Sequence, residues 1–196
     1  MKKVVLGLVA MVALTLTSCG TFPQADIDAA KAAIENTRLA EAEKYVPAEF
    51  TAVQDSLNAA IELANVAKSK FLFKNYNASV AKLQAVLPLT EQVSAAAVSK
   101  KAEVKAEVEG LMVSSKEMIE NVKALFAKAP KGKDGKAALE AIAADITAVE
   151  AAIAEGETLY NGGDFMGALG KLKGATEKGT AIGEELTAAT QKVTRR

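Results

Sequence analysis

The sequence predicts an all-α protein, an elongated bundle of long antiparallel helical hairpins. Three observations carry that expectation. First, an apolar stripe with a seven-residue period runs from Tyr76 to Leu125. Its steps of four and three land on Val80, Leu83, Leu87, Thr90, Ser94, Ala97, Lys101, Val104, Val108, Leu111, Ser115, Met118 and Val122, and eleven of the fifteen positions are apolar. That period suits a coiled-coil-like helix in a left-handed supercoil, and about fifty residues at 1.5 Å each reach roughly 75 Å. Second, 40 of the 196 residues are alanine, the best helix former and a poor source of buried area. Third, Trp is absent, aromatics make up 5%, and Val and Ile rarely alternate with polar residues, so no strand pattern competes.

The first residues form a targeting segment that stands outside the fold. Lys2 and Lys3 precede an apolar run from Val4 to Leu16, too short for a spanning helix, which needs about twenty residues. Leu16-Thr17-Ser18-Cys19-Gly20 follows: an aliphatic residue, two small ones, then the single cysteine of the chain. This stretch resembles the lipobox of a bacterial lipoprotein. The resemblance implies a signal peptide over 1–18, cleavage before Cys19, and diacylglycerol plus fatty acyl (palmitate-type) chains on Cys19. Two or three such chains, at roughly 0.8 kcal/mol per buried CH₂, suffice for stable anchoring. Gly20 is not the aspartate that signals inner-membrane retention in enteric-type lipoproteins. The expected place is therefore the outer membrane, facing the periplasm, where the source has one. The alternative is an ordinary secreted protein with a lone thiol, which is awkward in an oxidising compartment.

Without 1–18 the chain keeps 22 basic and 24 acidic side chains, a net of about −2. A nucleic-acid partner would want a basic surplus, and none is expected.

Residues 19–25 read as a lipidated N-terminus and short tether. A helix is expected from Asp26 as N-cap, with Ile27, Ala30, Ile34 and Thr37 as its stripe, until Pro47 ends or kinks it. A second starts at Pro47, where proline is tolerated; Phe50, Val53, Leu57, Ala60, Ile61, Ala64 and Phe71 mark its apolar face. A tight turn around Lys74 and an Asn75 cap lead into the long helix, in which Pro88 predicts a kink. Residues 130–135 are a loop by composition. A fourth helix spans about 136–160, Asn161-Gly162-Gly163 is a turn, and a fifth helix runs from Asp164 to about 193.

An offset of 89 residues aligns the chain with itself. Val53 matches Ile142, Leu57 matches Ile146, Phe71 matches Tyr160, Asn75-Tyr76 matches Asp164-Phe165, and Leu83 matches Leu172. The expected organisation is thus two hairpin repeats, 26–128 and 129–196, sharing one long central helix. Gly156-x-x-Leu159-Tyr160-x-x-Gly163-Asp164-Phe165-x-x-Ala168-Leu169 resembles the centre of a tetratricopeptide repeat, which implies close helix approach at the glycine and alanine. It covers about twenty residues, and no 34-residue period accompanies it. Tyr45-Val-Pro-Ala-Glu-Phe50 with Leu57-x-x-Ala60 is similar to small helical envelope lipoproteins of unknown function, and that likeness brings no activity with it.

Histidine is absent and Cys19 is committed to lipid. That excludes Ser/His/Asp and Cys/His catalysis and thiolate zinc sites. The carboxylate pairs Glu103/Glu107 and Glu117/Glu120 suit a hard cation by spacing, but the lysines beside them make a solvated face; no metal and no catalytic residue are expected. Lys123, Lys128, Lys131, Lys133 and Lys136 crowd one corner, either a solubilising loop end or a contact for an anionic surface. The tip aromatics Phe71, Phe73, Tyr76, Tyr160 and Phe165 either close the hairpin ends or form a partner-binding patch. Phe73, with no aromatic counterpart at Gly162, is the one expected to be exposed. Gly167, Gly170 and Gly174 suggest close packing of the last helix on a neighbour. The functional expectation is a non-catalytic, lipid-anchored structural or protein-interaction module of the envelope. The alternative is a carrier holding an apolar molecule or lipid between helices.

Overall fold

The computed structural model describes residues 21–130 and 136–194. Among them every regular element is helical: α1 Gln24–Leu39, α2 Ala42–Tyr45, α3 Pro47–Ser69, α4 Asn77–Lys128, α5 Lys136–Asn161 and α6 Phe165–Thr194. The all-α expectation is met. Two compact units divide at Ala97/Val98, inside α4, which contributes a buried face to each.

All fifteen positions of the seven-residue stripe are buried or half-buried. α4 is helical throughout, Pro88 included. Pro88 is exposed, and the Thr90 hydroxyl donates to the Leu87 carbonyl at 2.6 Å.

In the first unit α1, α3 and the first half of α4 enclose one apolar cluster. Ile27, Ala30, Phe50, Val53, Leu57, Leu83, Val86 and Val93 lie at its heart. Alanines 42, 60, 64, 67 and 97 are buried among them, where a larger side chain would force the helices apart. Hydroxyls complete this interior. Thr37 donates to the Ala33 carbonyl at 2.9 Å and faces the Thr90 carbonyl at 3.3 Å. Ser94 donates to the Thr37 oxygen at 3.2 Å, and Ser79 donates to the Ala60 carbonyl at 2.8 Å. Each of these hydroxyls thus has the partner that burial demands.

The start of this unit differs from expectation. α1 begins at Gln24 with Pro23 at its N-cap, and Asp26 lies in the first turn, where its charge faces the positive helix end. α1 stops at Leu39, well before Pro47. Glu41 adopts a left-handed backbone, φ 60°, and the bend it makes delivers Ala42 and Tyr45, 0% and 5% exposed, to the core. Pro47 then opens α3 as expected.

In the second unit the later half of α4 packs with α5 and α6 around Val104, Val108, Ile119, Val122, Ile142, Ile146, Val149, Leu172 and Leu186. Ion pairs stitch every helix pair. Lys116–Glu157 at 2.5 Å and Lys123–Glu150 join α4 to α5; Lys171–Glu155 at 2.8 Å and Lys178–Asp145 at 2.7 Å join α5 to α6; Lys173–Glu107 at 2.6 Å joins α6 to α4. They lie on half-exposed rims and contribute little individually. Their geometry fixes which faces meet.

Burial repeats at the 89-residue spacing. Val53, Leu57, Ala60, Ala64 and Ala67 are buried on α3, and so are Ile142, Ile146, Val149, Ile153 and Gly156 on α5. Ser79, Leu83, Val86, Thr90, Val93 and Ala97 of α4 correspond in the same way to Ala168, Leu172, Ala175, Gly179, Ile182 and Leu186 of α6. α1 has its counterpart at a spacing of 92: Ile27, Ala30 and Thr37 are buried, as are Ile119, Val122 and Ala129. The matching units are three helices each rather than two.

The connections between the last two helices differ. After α5 the Gly163 N–H bonds the Tyr160 carbonyl at 3.0 Å and the Asp164 N–H bonds the Leu159 carbonyl at 2.9 Å. Gly163 sits at φ +83°, a region a side chain enters at a cost. Asp164 then caps α6, accepting from the Gly167 N–H at 3.1 Å. In the first unit Lys74 stands where Gly163 does. α3 ends at Ser69 and α4 starts only at Asn77, so the expected tight turn is a loop over 70–76. Asn75 still serves the helix start, accepting from the Asn77 N–H at 2.9 Å.

The α6 glycines also depart from expectation. A Cβ at Gly167 would run into the capping Asp164 carboxylate, while Gly170 and Gly174 face open space; nothing in the structure explains these two. The close approaches fall elsewhere. A Cβ at Gly156 would lie 2.8 Å from Leu172 Cγ, and one at Gly179 would strike Met118.

Gly163→Ala is expected to cost about 1–2 kcal/mol through its left-handed backbone, and Asp164→Ala about 0.5–2 kcal/mol through the lost cap. Gly174→Ala, in open space within a helix, is expected to stabilise by about 0.5–1 kcal/mol. Urea-denaturation midpoints of the three variants check this.

Candidate functional site

The feature that the packing leaves unspent is the loop between α3 and α4. α3 winds down with the Ser69 hydroxyl donating to the Val66 carbonyl at 2.8 Å, and Lys70 is extended, φ −69°, ψ 134°. Three large apolar side chains then stand in solvent: Phe71 is 94% exposed, Leu72 65% and Phe73 92%. Phe73 has φ +58°, a region where a bulky residue is strained. Val66, 52% exposed on the last turns of α3, widens the apolar surface. An exposed apolar run of this kind makes the loop a candidate interaction site.

The charge around it has one sign. Lys68, Lys70, Lys74 and Lys82 are the charged side chains from Ala64 to Thr90, and no acidic residue falls in that span. Asp26 lies in the first turn of α1.

The base of the loop is closed by the N-terminus. Tyr76 is buried, 3% exposed, and the Phe22 ring meets it edge-on, centroids 5.8 Å apart at 82°. The Lys68 ammonium sits 4.9 Å from the Phe22 centroid. Pro23 is buried too. Phe22 and Pro23, expected within a tether over 19–25, belong to the body, since an aromatic ring and a proline gain more from the core than from water.

The five tip aromatics separate into three environments. Phe71 and Phe73 are exposed, and Tyr76 is core. Tyr160 and Phe165 are half-buried, their rings 5.4 Å apart. The Tyr160 hydroxyl donates to Glu109. That hydrogen bond, with some desolvation and the nearby charge, raises the hydroxyl above its ordinary pKa. Lys101 reaches to 6.0 Å from the Phe165 centroid. These two rings brace the α5–α6 turn against α4, so the proposed equivalence of Phe71 with Tyr160 does not extend to their surroundings. Leu72, Val66, Phe22 and the flanking lysines join the site unforeseen. The run Lys70-Phe-Leu-Phe-Lys74 was a readable signal for the first of them; the Phe22 contact, spanning 54 residues, was not.

The lysine corner is partly engaged. Lys123 is held by Glu150 and Glu120, which raise its pKa. Lys136 lies 3.9 Å from Glu140, and Lys128 is exposed in the last turn of α4. Lys131 and Lys133 lie outside the described residues, as does Cys19. Among the described residues no group of three or more acidic, histidine or cysteine side chains is arranged to hold a metal ion, and no helix is long and apolar enough to cross a membrane. Glu103 pairs with Lys100 at 3.1 Å and Glu107 with Lys173, as befits a solvated face.

The chain matches no protein-family model, no curated protein and no solved structure.

Substituting Phe71 or Phe73 by serine is expected to change stability by no more than about 0.5 kcal/mol, whereas Tyr76→Ala costs about 3–5 kcal/mol by opening a cavity. Phe73→Gly is expected to stabilise by about 1 kcal/mol through relief of the left-handed backbone. Chemical denaturation of the four variants separates an exposed loop from a packed tip.

Proposed function

We propose that this protein is a non-catalytic module of the cell envelope, held at the membrane by acyl chains on Cys19 and engaging a protein partner. The observation that carries the reading is Leu16-Thr17-Ser18-Cys19 followed, three residues later, by Phe22 packed into the body. A chain with its anchor that close to its first core residue is built to sit against a surface. The lack of histidine and the pairing of carboxylates with lysines support a structural or interaction role over catalysis. The burial pattern shared between the two units supports a duplicated three-helix module. Gly20 favours the outer membrane, periplasmic side.

A second reading, the carrier, draws on one observation. A groove of about 580 Å³ runs between α4 and α6, lined by Met118, Val122, Leu125, Gly179 and Gly183 among others. Its glycines make room for an apolar molecule. It lies open along its length, which suits a transient guest better than an enclosed ligand. Lipid found by mass spectrometry in the purified protein favours the carrier; a stoichiometric protein in native pull-downs favours the module.

Cys19→Ser is expected to leave an uncleaved precursor that incorporates no labelled palmitate. Normal processing, labelling or acyl-dependent membrane fractionation of that variant overturns the anchoring.

A further inference from the structure

We infer that the Phe71-Leu72-Phe73 loop enters the interfacial layer of the same bilayer that holds the acyl chains on Cys19, a second point of contact that fixes how the first unit faces the membrane. The inference rests on the lipoprotein reading above for the identity of that surface. It stands on three observations that are independent of each other.

The first is proximity. Phe22 packs on Tyr76. Cys19 lies three residues before Phe22 and Phe73 lies three residues before Tyr76. At 3.3–3.6 Å per residue each stretch spans at most about 11 Å. Anchor and loop therefore leave the body from one place, and a bilayer that receives the acyl chains lies within reach of the loop.

The second is the chemistry of the loop. Phe71 and Phe73 at 94% and 92% exposure are costly in water and find no cover in their own unit. Aromatic and aliphatic side chains at a loop tip, with lysines whose stems run toward the headgroups, match the layered polarity of a membrane interface. Lys68, Lys70 and Lys74 set positive charge on both sides of the apolar tip, with no acidic residue from Ala64 to Thr90. This complements the phosphates of anionic lipid. A protein groove would match the apolar tip but would not account for its adjacency to the anchor.

The third is the backbone. Phe73 is held at φ +58°, which turns the chain at the tip without glycine. A turn in contact with water has no use for phenylalanine there. One whose side chain is to be buried on arrival does.

Each apolar side chain of this size moved out of water strengthens partitioning roughly tenfold or more, so the loop adds to what two or three acyl chains provide. It also makes attachment directional, which acyl chains at a single point of attachment do not.

The absence of Trp from the chain gives a direct test. The full protein is expressed and processed in its host, with Leu72→Trp in one preparation and Leu39→Trp in another. Leu39 is 74% exposed and sits at the opposite end of the 16-residue α1 from Phe22. Each is reconstituted into phosphatidylethanolamine–phosphatidylglycerol vesicles carrying bromine on the upper acyl carbons, and the mass of the Cys19 peptide is measured on the same material. The expected result is blue-shifted indole emission from the Leu72→Trp protein that the brominated lipid quenches, while the Leu39→Trp protein emits as in water and is not quenched. Emission from Leu72→Trp indistinguishable from that of Leu39→Trp overturns the inference, while an acylated Cys19 in that sample leaves the anchoring intact. A shielded indole in Leu72→Trp that brominated lipid fails to quench also overturns it, and assigns the loop to a protein surface, either a partner or another part of this chain. Quenching of Leu72→Trp on a chain whose Cys19 carries no lipid sustains the docking and overturns the anchoring instead.

Discussion

Both units depend on the unbroken face that α4 presents to them. Each side chain of the seven-residue stripe from Tyr76 to Leu125 is withdrawn from water to some degree, and neither unit closes a core without its share. The seven-residue spacing is what allows this. A helix has 3.6 residues per turn, so an apolar row repeated every seven stays on nearly one side over many turns. Proline at position 88 is tolerated because its ring lies on the solvent side, where the missing donor is least missed.

The two interiors solve the problem of scarce apolar volume differently. In the first, alanines let helices approach, and serine and threonine spend their hydroxyls on carbonyls already inside, Ser79 on Ala60 and Thr37 on Thr90. A satisfied hydroxyl contributes about 1 kcal/mol net, but its direction pins the register of one helix on another. In the second, the buried positions of α5 and α6 are richer in isoleucine and leucine, and glycine at 156 and 179 accommodates Leu172 and Met118. At its rim, lysine–carboxylate pairs cross all three helix contacts.

Much of this was legible beforehand because it depends on local rules. The stripe on α4, the proline start of α3, the Gly163-Asp164 turn and the correspondence of positions 89 residues apart follow from periodicity and turn chemistry. The end of α1 was hidden for a physical reason. Alanine-rich sequence favours helix on both sides of Ala40, and no glycine or proline announces the left-handed residue at Glu41. The bend exists because Ala42 and Tyr45 gain a core that α1 alone would not offer them. The exposed glycines of α6 misled in the opposite sense, since small residues signal contact only when something lies opposite. At the site, the exposure of Phe73 followed from its lack of a counterpart. The Phe22 ring that covers Tyr76 did not, because it arrives from 54 residues earlier in the sequence.

The two hairpin ends also differ in how far their length is free to change. Between α5 and α6 the backbone groups of Gly162, Gly163 and Asp164 are committed to closing one helix or opening the next. Adding or removing a residue there would turn every contact of α6 by about 100°. The stretch from Phe71 to Lys74, exposed throughout, carries no such commitment, so variation in length, cutting by a protease or grafting of a new segment falls there without disturbing either helix. That asymmetry leaves one end as frame and the other as the place where novelty can accumulate.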